Sequence, residues 1–239
     1  MSTFILIHGS WHGGWCWNKV TPLLERAGHR VVAPDLPGHG NDKTPIERVT
    51  LQAYVNRVIE HIDAQAEPVV LVGHSLGGCI VTQTAEYRPA KIQVLVYVAG
   101  MLPANGQSVL DLRAPESLVT QNVMLSEDKR SSRVRGEALK AVFYADCADE
   151  DVTWARSLLV PQATAPIGTP VRTSAKNFGR VPRVYIECTR DQAIPPAVQR
   201  KMLAAQPCRH VFSMDTSHSP FFSAPERLAE HILAAPGFG

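Results

Sequence analysis

One short stretch of the chain places a serine, between glycines, just after an apolar run that is typical of a buried strand. Residues 69–78 read VVLVGHSLGG and contain the pattern Gly-x-Ser-x-Gly, with Ser75 at its centre. Between a strand and a helix, this pattern is typical of a sharp turn that exposes its serine as a nucleophile. Gly73 and Gly77 would leave room for the neighbouring backbone, and the positive end of the next helix would lie beside the serine. We therefore predict Ser75 as a nucleophile.

A serine hydroxyl needs a general base, which can come from a distant part of the chain. Among nine histidines, His218 lies in the stretch DTSHSPFF, between the last predicted strand and the last predicted helix. This is the chain order expected of a base that acts on Ser75. His74 adjoins the serine, but neighbours on a sharp turn point apart, so we expect it to pack. His231 lies inside a predicted helix, and we expect it at the surface.

The base in turn needs an acid that orients it and stabilises its charged form. Asp191, in RVYIECTRDQAIPP, follows the penultimate predicted strand, where the order serine, acid, histidine places this acid. Asp215 is the alternative because it also ends a strand, although it stands only three residues before His218. Asp35, in APDLPGHG, follows an earlier strand, and we expect a structural role for it.

Acyl transfer also requires donors for the oxyanion that forms at the carbonyl carbon. One donor should be the backbone N–H of Leu76, the residue after the nucleophile, and the other should come from the loop after the first central strand. That loop reads HGSWHGGWCW at residues 8–17, and Ser10 is its best candidate. We therefore predict an oxyanion hole formed by Ser10 and Leu76.

Six short apolar runs alternate with helical segments along the chain. Continuous apolar runs of this length are typical of parallel strands covered on both faces. The predicted strands are residues 3–8, 30–35, 68–73, 93–99, 183–188 and 210–214. The predicted helices lie near residues 15–27, 50–65, 76–88, 196–205 and 220–234. This alternation predicts an α/β fold with a mostly parallel sheet of about six strands and helices on both faces.

The interval from residue 101 to about 180 contains no good apolar strand. It is polar, with helical pieces such as EDVTWARSLL and an exit rich in Pro, Gly and Thr. A long segment of this kind inside a compact domain is usually functional, and ligands of open α/β folds bind at the carboxyl ends of the strands. We predict a helical cap formed by residues 101–180, over a core formed by residues 1–100 and 181–239.

Composition narrows the class of protein further. The chain has 239 residues and a net charge of +2, which suits one soluble domain and gives no reason to expect nucleic acid or a membrane as partner. Its five cysteines include no Cys-x-x-Cys pair, so we expect reduced thiols in the cytoplasm. We expect no signal peptide, because the first apolar run is short and no basic segment precedes it, and no apolar run approaches the roughly 20 residues of a membrane span. We expect no metal site.

Four longer stretches carry a resemblance to a known family: residues 8–40, 69–78, 143–162 and 183–202. They resemble α/β-hydrolases of the plant methylesterase and hydroxynitrile lyase group and its bacterial esterase relatives. The resemblance covers nearly the whole chain and is weakest from about residue 103 to 140. It implies the α/β-hydrolase fold, serine esterase chemistry on small esters, a helical cap, no cofactor and, in many members, a homodimer.

Two branches of the group differ at positions that this chain allows us to compare. The lyase branch uses the same three catalytic residues as a base on a cyanohydrin, and it carries threonine where Gly9 stands and lysine where Ser219 stands. Both differences favour the esterase branch. Esterases of the group often have a smaller residue where Trp11 stands, and we predict Trp11 as a substrate-binding residue. A ligand receptor that has kept the fold and the triad is the further alternative.

Overall fold

The computed structural model describes residues 1–239, and a parallel sheet runs through its centre. The strands are β1 Thr3–Ile7, β2 Arg30–Val32, β3 Val69–His74, β4 Ile92–Val98, β5 Val123–Leu125, β6 Ser131–Val134, β7 Gln162–Ala163, β8 Arg183–Cys188 and β9 His210–Met214. The helices are α1 Thr21–Arg26, α2 Leu51–Asp63, α3 Leu76–Tyr87, α4 Leu118–Asn122, α5 Leu139–Phe143, α6 Asp149–Leu158, α7 Ala165–Gly168, α8 Pro196–Ala205, α9 Pro220–Ser223 and α10 Pro225–Ala234. Six strands form the central sheet in the order β2-β1-β3-β4-β8-β9.

All five strand pairings of the central sheet are parallel, as the sequence predicts. Strand β3 is buried at all six of its positions because helices cover both faces of the sheet. Successive residues of a strand point to opposite faces. Val69 and Leu71 accordingly belong to one apolar cluster, whereas Val70 and Val72 belong to the other. The site-bearing strand is therefore anchored from both sides.

The predicted elements differ from the observed ones mainly at their ends. Strand β2 stops at Val32, before Pro34, because proline has no N–H to continue the ladder. The predicted helix at 220–234 is divided at Ala224, whose backbone is not helical (φ −148°, ψ 55°). The residue before a proline avoids the helical region, so Pro225 begins a new helix instead of continuing the first one.

The chain leaves the central sheet after β4 and returns to it at β8. The cap segment, residues 101–180, contains helices α4 to α7 and a small antiparallel sheet in the order β5-β6-β7. The sequence predicted only helical pieces here, because these strands are too short and too polar to form apolar runs. The domain boundaries themselves stay a prediction. No helix anywhere in the structure is both long enough and apolar enough to cross a bilayer.

Candidate active site

Ser75 occupies a sharp turn between β3, which ends at His74, and α3, which begins at Leu76. Its backbone has φ 52° and ψ −121°, a conformation that non-glycine residues rarely adopt and that costs about 1–3 kcal/mol. Neighbouring backbone holds the turn in place: the Ser75 N–H donates to Val98 O at 3.3 Å, and its carbonyl accepts from Met101 N at 2.8 Å. The end of β4 therefore supports the strained serine.

Glycines make this turn possible because other backbone passes very close to it. A Cβ on Gly73 would lie 2.5 Å from the carbonyl oxygen of Gly77, and a Cβ on Gly77 would lie 2.6 Å from the carbonyl oxygen of Ile7. A Cβ on Gly9 would lie 2.7 Å from the Cβ of Ser75. Any side chain at these positions would therefore displace the serine or the strands that support it.

His218 and Asp191 form a buried hydrogen-bonded pair at the same edge of the sheet. His218 Nδ1 donates to Asp191 Oδ2 at 2.7 Å, and the two side chains are 2% and 0% exposed. The other carboxylate oxygen, Oδ1, accepts from the N–H groups of Ala193 at 2.7 Å and Ile194 at 2.9 Å. These contacts fix both the carboxylate and the histidine tautomer, and they leave Nε2 free to act as a base. No hydrogen bond joins Ser75 Oγ to His218 in this resting structure, and such contacts are often long before substrate binds.

Asp215, the alternative acid, lies elsewhere. Its side chain is 83% exposed, and it forms an ion pair with Arg190 Nε at 3.0 Å. It makes no hydrogen bond to His218. The structure therefore pairs His218 with Asp191, the acid that the chain order favours, and not with Asp215.

The loop that carries His218 is held from two sides, and the sequence reveals neither contact. His74 Nε2 donates to the backbone carbonyl of His218 at 2.8 Å, and the two rings lie 4.6 Å apart. Burial lowers the pKa of His74 well below its usual value, so His74 is a neutral donor. From the cap, Asp146 accepts from the N–H of Ser217 at 2.8 Å and from its hydroxyl. Arg190 Nη2 also lies 3.5 Å from this carboxylate.

The two residues predicted to supply the oxyanion donors line one cavity. Leu76 is the first residue of α3, so its N–H has no partner within the helix. The N–H of Ser10 donates to no other group of the protein. Both residues line the same cavity as Ser75. Two free backbone donors beside a nucleophile are what an oxyanion hole requires.

A network of buried side chains fixes the loop that carries Ser10. His12 Nδ1 donates to Ser10 O at 2.7 Å, while its Nε2 accepts from the hydroxyl of Tyr144, a cap residue, at 2.7 Å. His39 Nδ1 donates to His12 O at 2.6 Å, and its Nε2 accepts from Tyr54 at 2.9 Å. Burial lowers the pKa of both histidines to about 4, so each keeps one donor and one acceptor nitrogen at neutral pH.

The cavity above Ser75 is mainly apolar and is shared between core and cap. Its lining consists of Ser10, Trp11, Ser75, Leu76, Met101, Val109, Leu112, Arg113, Ala114, Ser117, Val119, Thr120, Phe143, Ile167, Ala193, Ile194, Pro195 and Val198. Trp11, predicted to contact substrate, belongs to this lining and has a left-handed backbone (φ 62°). Its indole N–H donates to Ser132 O in β6 at 3.0 Å, so it also joins the core to the cap. The sequence did not reveal which cap residues line the cavity, nor the hydrogen bond between Trp11 and Ser132.

Comparison with known proteins agrees with this fold and site. A sequence model of the alpha/beta hydrolase family matches residues 4–231, and the chain belongs to that family. It is 36% identical to a pyrethroid hydrolase of Sphingobium wenxiniae, over 97% of this chain and 86% of that protein. It is 32% identical to methylesterase 9 of Arabidopsis thaliana, over 98% and 97% of the two chains. An alpha-hydroxynitrile lyase of Arabidopsis thaliana is also 32% identical, over 97% and 95%.

Solved structures give the same result. The crystal structure of a pyrethroid hydrolase from Sphingobium faniae superposes with a TM-score of 0.90 at 33% identity, over 99% of this chain and 97% of that one. The family, the α/β-hydrolase fold and the enzyme class predicted from the sequence, a carboxylic ester hydrolase, are therefore confirmed. The roles of the individual site residues, the absence of cofactors and metals, and the homodimer stay predictions.

Proposed function

We propose that this chain is a serine carboxylesterase that hydrolyses small to medium-sized, mainly apolar esters through an acyl-enzyme on Ser75. One observation carries the proposal. The strained serine faces an apolar cavity that also contains two unpaired backbone donors, at Ser10 and Leu76. The buried His218–Asp191 pair lies at the same edge of the sheet.

The proposed reaction begins when Ser75 Oγ attacks the ester carbonyl while His218 Nε2 takes the hydroxyl proton. The N–H groups of Ser10 and Leu76 stabilise the negative charge that develops on the carbonyl oxygen. His218 then protonates the leaving alkoxide, so the alcohol departs and an acyl group remains on Ser75. In the second half, a water molecule attacks the acyl carbon and loses a proton to His218, which then returns that proton to Ser75 Oγ as the carboxylic acid is released.

Asp191 supports both halves without exchanging protons itself. Its carboxylate accepts from His218 Nδ1, which keeps the proton on that nitrogen and stabilises the imidazolium formed at each step. Because the backbone N–H groups of Ala193 and Ile194 hold the other oxygen, the carboxylate cannot rotate away from the ring. The resulting orientation keeps Nε2 available to the substrate.

This chain lacks the lysine and the threonine that the lyase branch carries at positions 219 and 9. Ser219, which follows His218, is fully buried and carries no charge that could stabilise departing cyanide. A threonine at position 9 would bring its Cβ to 2.7 Å from that of Ser75. The pyrethroid hydrolases and methylesterases among the relatives support ester hydrolysis as the reaction of this chain.

The test is a panel of p-nitrophenyl and methyl esters of increasing chain length, measured beside mandelonitrile. We expect wild-type turnover of the apolar esters and a loss of about 10⁶-fold in kcat for Ser75→Ala and for His218→Ala, because these residues act as a unit. Ser157→Ala, which removes an exposed hydroxyl on α6, is the control and should keep wild-type activity. Fast release of cyanide with negligible ester turnover would establish the lyase instead. Binding of a small ligand with barely detectable turnover would favour a receptor.

The cytoplasm remains the proposed location. All five cysteines are free thiols, which supports a reducing compartment. Detection of the protein in the cytosolic fraction of its source cells would test this, and recovery only from secreted material would contradict it.

A further inference from the structure

Arg113 is the only charged residue that lines the cavity above Ser75. It follows the short turn Leu110–Leu112 and precedes α4, within the part of the cap where the family resemblance is weakest. Its side chain is half-buried, and it forms no ion pair and no hydrogen bond with the rest of the protein. The nearby carboxylate of Asp111 is occupied, because it accepts from the N–H and the hydroxyl of Ser108 at 2.8 and 2.7 Å.

The guanidinium of Arg113 is partly desolvated and has no ion-pair partner. Partial burial disfavours the charged guanidinium and lowers the pKa of Arg113 below its usual value. The other residues of this cavity are apolar or carry hydroxyl groups, and the acidic residues near Arg113, Asp111 and Glu116, line a neighbouring surface cavity instead without forming an ion pair with it. A bound anion would remove this cost, and the planar fork of an arginine matches a carboxylate in two parallel hydrogen bonds.

A second polar group in the same cavity is also without a partner. The hydroxyl of Thr120, on α4, is buried and makes no hydrogen bond within the protein. Buried hydroxyl groups are nearly always paired, so a small movement of α4 that exposed this hydroxyl to a ligand would give it a partner. Its neighbour Ser117 is different, because its hydroxyl donates to Ala193 O at 2.7 Å. The lining of the cavity thus includes one charged side chain without a partner and one threonine whose buried hydroxyl has none, among mainly apolar residues.

We propose that the preferred substrate is an ester that carries a carboxylate elsewhere in the same molecule. The carboxylate pairs with Arg113 and accepts a hydrogen bond from Thr120, while the ester group lies at Ser75 and an apolar linker contacts the cavity between them. This inference rests on the proposed esterase function and specifies its substrate class. The cavity residues do not distinguish whether the carboxylate belongs to the acyl or to the alcohol part, so the experiment compares the two.

The proposed contact does not involve the atoms of the bond that breaks, so we expect it to act on the ground state and the transition state alike. Interactions of this kind change KM more than kcat. The preference for an anionic ester should therefore be a difference in KM.

The experiment measures each anionic ester against its neutral methyl-capped analogue. One series consists of monomethyl esters of dicarboxylic acids of increasing length, with the carboxylate on the acyl part. The other consists of acetate esters of hydroxy acids of increasing length, with the carboxylate on the alcohol part. We expect wild type to prefer the anionic ester in at least one series, and Arg113→Gln to reduce the anionic-to-neutral ratio of kcat/KM by about tenfold or more. Thr120→Val should reduce the ratio by about threefold to tenfold.

The control is Arg48→Gln, which removes the same charge at an exposed position outside the cavity and should leave the ratio at its wild-type value. Circular dichroism establishes that each variant is folded. The inference is overturned if wild type hydrolyses the neutral esters with no preference in either series, or if Arg113→Gln retains the wild-type ratio. Absence of any ester turnover by wild type is a different result, because it contradicts the proposed function itself.

Discussion

The central sheet and the cap contribute to the same cavity in opposite ways. Helix α3, which follows the nucleophile, has ten of its twelve residues buried, whereas α6 in the cap has one buried residue out of ten. The nucleophile and the base–acid pair lie on the densely packed core. Two cavity-lining residues whose side chains make no hydrogen bond, Arg113 and Thr120, lie on the cap. We therefore expect the core to determine the reaction and the cap to contribute most to the choice of ester.

The division is not complete, because cap residues also hold parts of the core site. Tyr144 donates to His12 beneath the oxyanion loop, and Asp146 holds the backbone next to His218. Trp11 reaches across to β6. Substitutions in the core should therefore remove the reaction, those at cap–core contacts should weaken it, and those at the cavity surface should change the choice of substrate.

The largest contrast is expected between the two aspartates near His218. Asp191→Asn should lower kcat by about 10⁴-fold, because an amide favours the wrong tautomer of the histidine. Asp215→Asn, at an exposed position, should change kcat by less than about threefold, since surface ion pairs contribute little. Steady-state kinetics on a p-nitrophenyl ester measures both. A greater loss at Asp215 would reverse the assignment of the acid.

Lowering the pH should reduce the free energy of unfolding, because burial lowers the pKa values of histidines in the core. The unfolded chain takes up protons at His12 and His39 below about pH 6.5, but the folded chain does so only near pH 4. The free energy of unfolding should therefore fall as the pH is lowered through this window, by up to about 3 kcal/mol for each histidine. Urea unfolding at a series of pH values measures this, and His39→Gln should show a smaller decrease than wild type. A free energy of unfolding independent of pH over this window would contradict the account.

A cap carboxylate should support catalysis from a distance. Asp146→Asn weakens the contacts to Ser217 and should lower kcat by about tenfold to a hundredfold with little change in KM, because His218 is then held less firmly. Asp149→Asn removes an equivalent charge from an exposed cap position and is the matched control. A wild-type kcat in a folded Asp146→Asn variant would show that Asp146 does not position His218.

The smallest effect is expected where the core meets the cap at Trp11. Trp11→Phe keeps an aromatic ring in the cavity but loses the hydrogen bond to Ser132, and it should change KM by about threefold to tenfold. Trp154→Phe, on the exposed face of α6, should keep the wild-type KM. Equal KM values in all three proteins would show that Trp11 does not contact substrate.

Local patterns predicted the parts of the molecule that are locally determined. The Gly-x-Ser-x-Gly turn and the order of the strands indicated where Ser75, Asp191 and His218 would lie. Contacts that depend on tertiary packing left no signal: His74 meets the carbonyl of a residue 144 positions away, and Asp146 meets Ser217 across 71 positions. The cap sheet was missed for a related reason, because its short polar strands are stabilised by pairing and not by an apolar pattern.

The central claim is that the reaction passes through an acyl group on Ser75, and acid quenching during turnover tests it directly. With p-nitrophenyl acetate, whose alcohol leaves readily, deacylation should be the slow step and the acyl-enzyme should accumulate. The account predicts that peptide mass spectrometry will find one acetyl group per chain on the peptide that carries Ser75, and none in Ser75→Ala. An acetyl group on a different residue, or wild-type turnover by Ser75→Ala, would contradict it.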